Sequence, residues 1–133
     1  MDKPQLFHCL TFTDVDRAID FLTAIGFTEV VVVRDPDDPA TVVHAQFRWR
    51  DHGGLMFGSV RHDDTLGFAS RPGVGACNLV VTSDAEVDRV LTAALDHGAT
   101  LAQEPHHPPH GGRSAAVRDA EGNLWNIDSY PGE

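Results

Sequence analysis

The chain has 133 residues, the size of one ordinary domain and enough to bury a hydrophobic core. Its formal net charge of −10 argues against nucleic acid and against an anionic membrane surface as partners. No apolar run approaches the roughly 20 residues of a membrane span, and the N-terminal segment lacks the apolar centre of a signal peptide. A cytoplasmic protein is therefore expected.

The first half of the chain reads as a strand, a helix and three further strands. Alternation over residues 6–13 predicts the first strand. Asp14 is a suitable N-cap for a helix over residues 15–25, and Gly26 is a suitable residue to end it. Three more strands are predicted over residues 28–34, 42–50 and 55–60.

The second half repeats that order after residues 61–74, which have weak periodicity and are predicted to be a linker. Ser83 and Glu86 have the spacing of a capping box, which opens a helix that ends near Gly98. The remaining strands are predicted over residues 75–82, 99–104, 113–118 and 124–130.

The two halves also match in sequence. FHCLTFTD, from residue 7, lies over ACNLVVTS, and VDRAIDFLTAIGFT, from residue 15, lies over VDRVLTAALDHGAT. This duplication predicts one domain over residues 1–133, made of βαβββ modules at residues 4–60 and 75–130. The sheet of such a module has one face covered by its helix and one bare face, so two modules side by side can surround a concavity.

Three segments then carry a resemblance to a known group: DVDRAIDFLTAIGF, VVHAQFRWRDHGGLMFGS and VRDAEGNLWNIDSY. With the doubled module, they resemble the vicinal oxygen chelate superfamily of glyoxalase I, bleomycin-resistance proteins and extradiol dioxygenases. The chain is most similar to the small PhnB-like or bleomycin-resistance-like members. The resemblance implies an α+β fold in which two tandem βαβββ modules form an incompletely closed eight-stranded sheet around a cavity, with helices on the outer face. It also implies a homodimer with the cavity near the interface.

Metal-dependent members of this superfamily carry ligands, usually His or Glu, in the first and last strands of each module. The resemblance maps these positions onto Phe7, Gly58, Ala76 and Asn126. Three of these side chains have no donor atom, and a lone carboxamide is a poor ligand for a transition metal. We therefore expect no metal and predict no cofactor, which argues against glyoxalase I and extradiol dioxygenase chemistry.

His8 lies beside one of these positions. A one-residue shift in strand register would turn His8 toward the cavity, but it would also expose Leu10 and Phe12. His8 is therefore expected to be a core or edge histidine. Cys9 and Cys77 have opposite parity in the matched strands, so no disulfide between them is expected.

The bare faces are the candidate site for a small-molecule ligand. If Val43, Phe47 and Trp49 face the helix, the polar residues between them face the concavity, although a solvated sheet edge would show the same pattern. Those polar residues are His44, Gln46 and Arg48. The other predicted cavity residues are Phe7, Cys9, Thr11, Met56 and Leu124 as an apolar wall, with Asn78, Asn126 and Asp128. His44 beside Cys9 or Asp128 could act as a general base.

A second histidine-rich segment lies in the loop at residues 105–112. His106, His107 and His110 are separated by prolines, which favour a PPII-like path that points the side chains in different directions. This favours a solvated loop or a cavity lid over a metal site, and adventitious metal binding stays an open alternative.

Two classes of function remain. The main hypothesis is a metal-free protein that binds a small molecule and sequesters an antibiotic or a metabolite, and the acidic charge would suit a cationic drug. The alternative is an enzyme: a metal-dependent or metal-free lyase, isomerase or dioxygenase acting on a small metabolite. A non-catalytic sensor is a third hypothesis. The scaffold hosts many unrelated reactions, so the resemblance alone does not decide between them.

Overall fold

The computed structural model describes residues 3, 4, 6–61 and 72–132, so most of the predicted linker lies outside the described residues. Module one contains β1 (Phe7–Phe12), α1 (Val15–Ile25), β2 (Thr28–Arg34), β3 (Val42–Trp49) and β4 (Gly53–Ser59). Module two contains β5 (Ala76–Val80), α2 (Asp84–Asp96), β6 (Thr100–His106), β7 (Ser114–Arg118) and β8 (Leu124–Asp128). The predicted α+β fold with two βαβββ modules is confirmed. Neither helix is long enough or apolar enough to span a bilayer within the described residues.

The eight strands form two four-stranded sheets, and the described residues form no closed barrel. The strand orders are β1-β4-β3-β2 and β5-β8-β7-β6. In each sheet the first strand of the module pairs in parallel with the last, and the other pairs are antiparallel. The two modules therefore have the same topology, as the sequence repeat predicts.

Helix α1 has the predicted bounds because its capping signals are local. The side chain of Asp14 accepts a hydrogen bond from the backbone N–H of Arg17, and Gly26 ends the helix at φ 124°. Phe21 is buried, whereas Ile19 is only half-buried, although both side chains are large and apolar. The reason is a contact with the other module, since the ring of Phe21 packs 6.2 Å from that of Trp125.

Helix α2 begins with half of the predicted capping box. The hydroxyl of Ser83 accepts from the backbone N–H of Glu86 at 3.3 Å. The carboxylate of Glu86 pairs with Arg89 instead of returning to the cap. The apolar face of the helix packs into the core through Val87, Val90, Leu91 and Ala94.

Each sheet has a covered face and a bare face. The covered faces contribute to one core with both helices, and they include Leu10, Phe12, Phe47, Leu55, Phe57, Leu79, Val117, Trp125 and Ile127. The prediction that Val43 faces the helix is wrong, because Val43 is 62% exposed. Val33 pairs with His44 while Arg34 pairs with Val42, so a bulge at this point takes Val43 out of the alternation.

The modules contact each other through their covered faces. The indole Nε1 of Trp49, in module one, donates to the carbonyl of Val80, in module two, at 2.9 Å. The ring of Phe27 also packs against Trp125, with centroids 5.8 Å apart. Since the covered faces meet between the modules, the bare faces of one chain point away from that junction.

The turn at residues 119–123 joins the modules at the start of α1. The carboxylate of Glu121 accepts from the backbone N–H of Thr13 at 2.5 Å and from that of Asp14 at 2.8 Å. Its side chain is only 8% exposed, and Arg17 lies 3.8 Å away. A carboxylate at a helix N-terminus is stabilised by the unpaired N–H groups and by the helix dipole.

We predict that Glu121→Gln destabilises the fold, because the amide keeps the shape of the side chain but loses the charge and one acceptor. The expected loss is about 1–2 kcal/mol in the free energy of unfolding, measured by urea denaturation. Glu104→Gln is the matched control, because Glu104 is exposed on β6 and the variant has the same net charge. Equal stability of the two variants would contradict the proposed role of Glu121.

Candidate functional site

The register of the strands places the bare-face side chains in rows that run across each sheet. In module one, the central row is Cys9, Met56, Gln46 and Val31. In module two, the equivalent row is Asn78, Asn126, Ala116 and Gln103. We call these the central rows. They lie near the middle of the bare faces and are the parts that a ligand on those faces would contact most.

A second row crosses each bare face at the end where the first strand of the module begins. It contains Phe7, Gly54, Arg48 and Thr28 in module one, and Ala76, Leu124, Arg118 and Thr100 in module two. The ring of Phe7 lies over Gly54, because a Cβ at residue 54 would come within 2.5 Å of that ring. A glycine at this position lets the aromatic ring lie against the sheet.

The structure places all the predicted cavity residues of module one on one bare face, and all those of module two on the other. Within one chain it does not bring the two sets together, because the modules meet through their opposite faces. Both faces are accessible: Cys9 and Asn78 are exposed, and Met56 and Asn126 are half-buried. A cavity enclosed by a module one bare face and a module two bare face therefore requires a second molecule.

Two residues of the central rows were not predicted from the sequence. Val31 and Gln103 each follow a bulge, between Glu29 and Val31 in β2 and between Leu101 and Gln103 in β6. A bulge changes which face a residue occupies, so simple alternation cannot assign these positions. The Gly and Pro content that often marks a bulge is also absent at both points.

The residues at the family's metal positions do not suit a divalent cation. Asn126 pairs with Asn78, whereas Gly58 pairs with Thr11, so the structural counterpart of Asn126 in module one is Met56. Phenylalanine, alanine and glycine side chains provide no donor, and a carboxamide or thioether provides a weak one. No group of three or more His, Cys, Asp or Glu residues is placed to hold a metal within the described part of the chain.

His44 is not paired as a general base within one chain. It lies on β3, and β4 separates it from Cys9 on β1. The carboxylate of Asp128 accepts from the backbone N–H of Tyr130 at 2.9 Å, in the other sheet. His44 makes no hydrogen bond to either residue in the described structure.

His8 lies on the covered face, opposite Leu55. The register keeps Leu10 and Phe12 buried, at 5% and 2% exposure. The Nε2 atom of His8 is buried and has no hydrogen-bond partner among the described residues. Burial lowers the pKa of His8, because the charged imidazolium would lose its hydration there.

The three histidines of the predicted loop have separate local contacts, and the first of them, His106, is the last residue of β6. The Nδ1 atom of His106 lies 3.0 Å from the carbonyl of Glu104, and that of His107 lies 3.1 Å from the carbonyl of Gly112. The ring of His110 packs against Tyr130, with centroids 4.8 Å apart. Each imidazole is therefore oriented by its own neighbour.

A cleft of about 230 Å³ lies between the modules on the covered side, beside His8, Trp49 and Cys77. The indole N–H of Trp49 is already bonded to Val80, and the Nε2 of His8 is inaccessible. Burial raises the pKa of the Cys77 thiol to about 11. The polar atoms of Trp49, His8 and Cys77 are therefore poorly placed to recognise a ligand. Asn78 also lines this cleft and belongs to the bare-face row of module two, so the bare faces remain the candidate site.

Comparison with known proteins places the chain in a defined structural group. The family model described as the Glyoxalase/Bleomycin resistance protein/Dioxygenase superfamily matches residues 5–127. No curated protein matches the sequence at a significant level.

Several solved structures have the same fold. TioX from Micromonospora sp. ML1 is 27% identical, with a TM-score of 0.70, and the match covers 92% of this chain and 95% of TioX. A glyoxalase-related enzyme from Fulvimarina pelagi is 25% identical, with a TM-score of 0.70 and coverage of 92% and 84%. A glyoxalase/bleomycin resistance protein/dioxygenase family enzyme from Burkholderia phytofirmans PsJN is 20% identical, with a TM-score of 0.73 and coverage of 92% and 94%.

We predict that iodoacetamide at pH 8 alkylates Cys9 faster than Cys77 in the folded protein, because a small reagent can enter the bare-face pocket as a ligand would. Cys9 is exposed on the bare face, whereas the high pKa of Cys77 keeps its thiol protonated at that pH. Peptide mass spectrometry measures both sites, and urea-unfolded protein is the control in which both should react. Equal labelling rates in the folded protein would contradict the burial of Cys77.

We predict that His8 makes the fold less stable at acidic pH. Its folded-state pKa is lowered, so the unfolded chain binds more protons, and stability falls as pH decreases from about 7 through the ordinary value of 6.5. His8→Leu should therefore lose less unfolding free energy than the wild type between pH 7 and pH 5, as measured by urea denaturation.

His52→Leu is the control for that measurement, because His52 is exposed in the turn before β4. This variant should retain the pH dependence of the wild type. Parallel stability curves for His8→Leu and the wild type would show that His8 is protonated as easily in the folded protein as in the unfolded chain.

Proposed function

Because the chain belongs to the Glyoxalase/Bleomycin resistance protein/Dioxygenase superfamily, we propose that it is a cytoplasmic protein that binds a small organic molecule on its bare faces. The observation that carries this proposal is the accessible bare face in each module, where apolar and polar side chains lie side by side. We propose that binding sequesters an antibiotic or a metabolite.

The composition of the bare faces supports a ligand pocket. Phe7, Met56 and Leu124 are half-buried apolar groups that can contact the body of a ligand. Asn78 and Asn126 share the bare face of module two with Leu124 and can form directional hydrogen bonds. Small-molecule sites combine mostly apolar walls with a few polar groups in this way.

We propose that the pocket is completed by a second copy of the chain. The covered faces join the modules of one chain, so its two bare faces cannot close on each other. Exposed valines at the outer edge of module one, Val31 and Val33, are 38% and 46% exposed. A homodimer that places module one of each copy against module two of its partner would cover apolar surface and form two equivalent pockets.

The side chains at the family's metal positions support ligand binding without a resident divalent cation. With Met56 as the counterpart of Asn126, the four positions at which metal-dependent members carry ligands hold Phe7, Met56, Ala76 and Asn126. Imidazole and carboxylate groups, which would be needed to hold a zinc or iron ion, are missing from these positions. The proposed binding activity therefore relies on side chains of the bare faces.

We predict that the protein is a homodimer, so light scattering during size-exclusion chromatography should give twice the 14.4 kDa mass of one chain. The apolar area that would be covered favours association at micromolar concentration. A mass of one chain per particle at that concentration would contradict the composite pocket.

We also predict that small organic ligands found by thermal-shift screening raise the melting temperature equally with and without EDTA. Metal-free bleomycin is one named member of the screen, because sequestered antibiotics are within the proposed class. Met56→Trp should abolish the shift, since the indole fills the central row of module one. Leu95→Trp is the matched control, because Leu95 is 40% exposed on α2 and lies away from the bare face.

A shift that disappears with EDTA and returns with a divalent cation would overturn the metal-independent part of the proposal. A shift that persists in Met56→Trp would show that the ligand binds elsewhere. Conversion of the hit to a new product by the wild type would show that the protein is an enzyme rather than a sequestering protein.

A further inference from the structure

The central rows have an unusual composition for a protein with a net charge of −10. They contain four carboxamide side chains: Gln46, Asn78, Gln103 and Asn126. They contain no Asp, Glu, Lys, Arg or His. From this composition we infer that the pocket recognises a neutral ligand that carries amide-type groups, such as a peptide, a lactam or a ureide. This inference rests on the proposed function, since it concerns the same bare faces.

The first line of support is the hydrogen-bonding state of the four carboxamides. None of them forms a hydrogen bond with another residue in the described part of the chain. Each offers one carbonyl acceptor and two N–H donors. A ligand that carries a carbonyl and an N–H on the same side presents the complementary set, so one carboxamide can pair with it in both directions. Primary amides, lactams, ureides and single residues of an extended peptide have this arrangement. A charged ligand group can use only one half of such a side chain.

The second line is the spacing of the groups. Asn78 and Asn126 are direct partners on the parallel strands β5 and β8. Strands in a sheet lie about 4.8 Å apart, so these two carboxamides are close enough to contact the same small ligand group. Ala116 follows Asn126 in the row and has no polar side-chain atom, so Asn126 and Gln103 are the hydrogen-bonding groups of that part of the row.

The third line is the position of the charged groups. Arg48 and Arg118 lie one row away, and each donates to a carbonyl of its own turn, at 3.1 Å to Asp51 and at 2.9 Å to Gly122. The carboxylate of Asp128 lies in the row on the opposite side. A charged ligand group over the central rows would therefore lose water while its direct neighbours in the row are uncharged, which is costly.

The module one row supplies the environment around such an amide. Cys9, Met56 and Val31 are apolar or weakly polar and surround Gln46. When the two kinds of bare face meet in the dimer, this apolar row would exclude water from the carboxamides of the partner. Where water is excluded, hydrogen bonds between neutral groups discriminate more strongly between ligands. The reason is that a ligand polar group without a matching partner stays unbonded.

The test uses three probes with the same indole ring and nearly the same size: N-acetyl-tryptophanamide, which is neutral, N-acetyl-tryptophan, which is an anion, and tryptophanamide, which is a cation. Binding to the full-length dimer is measured by titration of backbone amide signals in ¹H–¹⁵N NMR spectra. We expect the neutral probe to bind most tightly, by about fivefold or more, since it keeps one further matched hydrogen bond. The shifted signals should belong to β4 and β8.

Asn126→Asp is the most direct variant, because it preserves the shape of the side chain, removes its donors and adds a negative charge. It should weaken the neutral probe by about fivefold and should now favour the cationic probe. Asn126→Leu should weaken the neutral probe without favouring either ion. Thr92→Ala, at an exposed position on α2, is the control that should leave the affinities unchanged. Melting temperatures of all variants check that each one is folded.

The outcomes separate the inference from the proposed function. If the NMR signals of β4 and β8 shift but an ionic probe binds most tightly to the wild type, the proposed pocket is supported and the inferred preference for a neutral amide-type ligand is wrong. If Asn126→Asp and Asn126→Leu bind all three probes as the wild type does, the inference is also wrong. If no probe shifts any bare-face signal at millimolar concentration, both the inference and the proposed pocket are contradicted.

Discussion

The structure depends on one buried carboxylate, that of Asp119, in the turn between β7 and β8. It accepts hydrogen bonds from the backbone of Glu121 and Asn123 and from the indole Nε1 of Trp125, the last at 2.9 Å. These bonds orient the turn so that Glu121 reaches the start of α1, while Trp125, which is 0% exposed, packs against Phe21 of the other module. The junction of the modules on their covered sides follows from this turn, and so does the outward direction of both bare faces.

The outward direction of the bare faces determines whether a single chain can enclose a ligand. Bare faces that pointed toward each other would form a pocket in a single chain, whereas these faces remain accessible until another molecule covers them. Their central rows contain carboxamides and sulfur-containing or aliphatic side chains, whose interactions are hydrogen bonds and apolar contacts. The neutral organic ligand that we propose matches these interactions. Its acidic residues lie largely on helices and loops, as Asp16, Asp20 and Asp88 do, which makes the net charge a poor guide to the ligand.

Helix caps and alternation within each segment predicted the helices and strands well. Both helices begin at their predicted caps, because Asp14 and Ser83 bond to N–H groups three residues away. Alternation placed Phe7, Cys9 and Thr11 on one face of β1 and His8 on the other, since a register slip would have exposed Leu10 and Phe12. It failed at Val43, where a bulge changes the parity, and it missed Val31 and Gln103 for the same reason. Bulges arise from how two strands pair, so a pattern within one strand carries little information about them.

The sequence by itself determined the duplicated module, the ends of both helices and the chemical types of the side chains along each strand, because these depend on interactions between residues a few positions apart. Only the tertiary structure decided which faces of the modules meet and which carboxamides form one row. Those features rest on contacts between distant parts of the chain, such as the bond from Asp14 to Glu121 across 107 residues. Many pairs of residues could make such a contact, and the choice among them comes from packing the whole core at once.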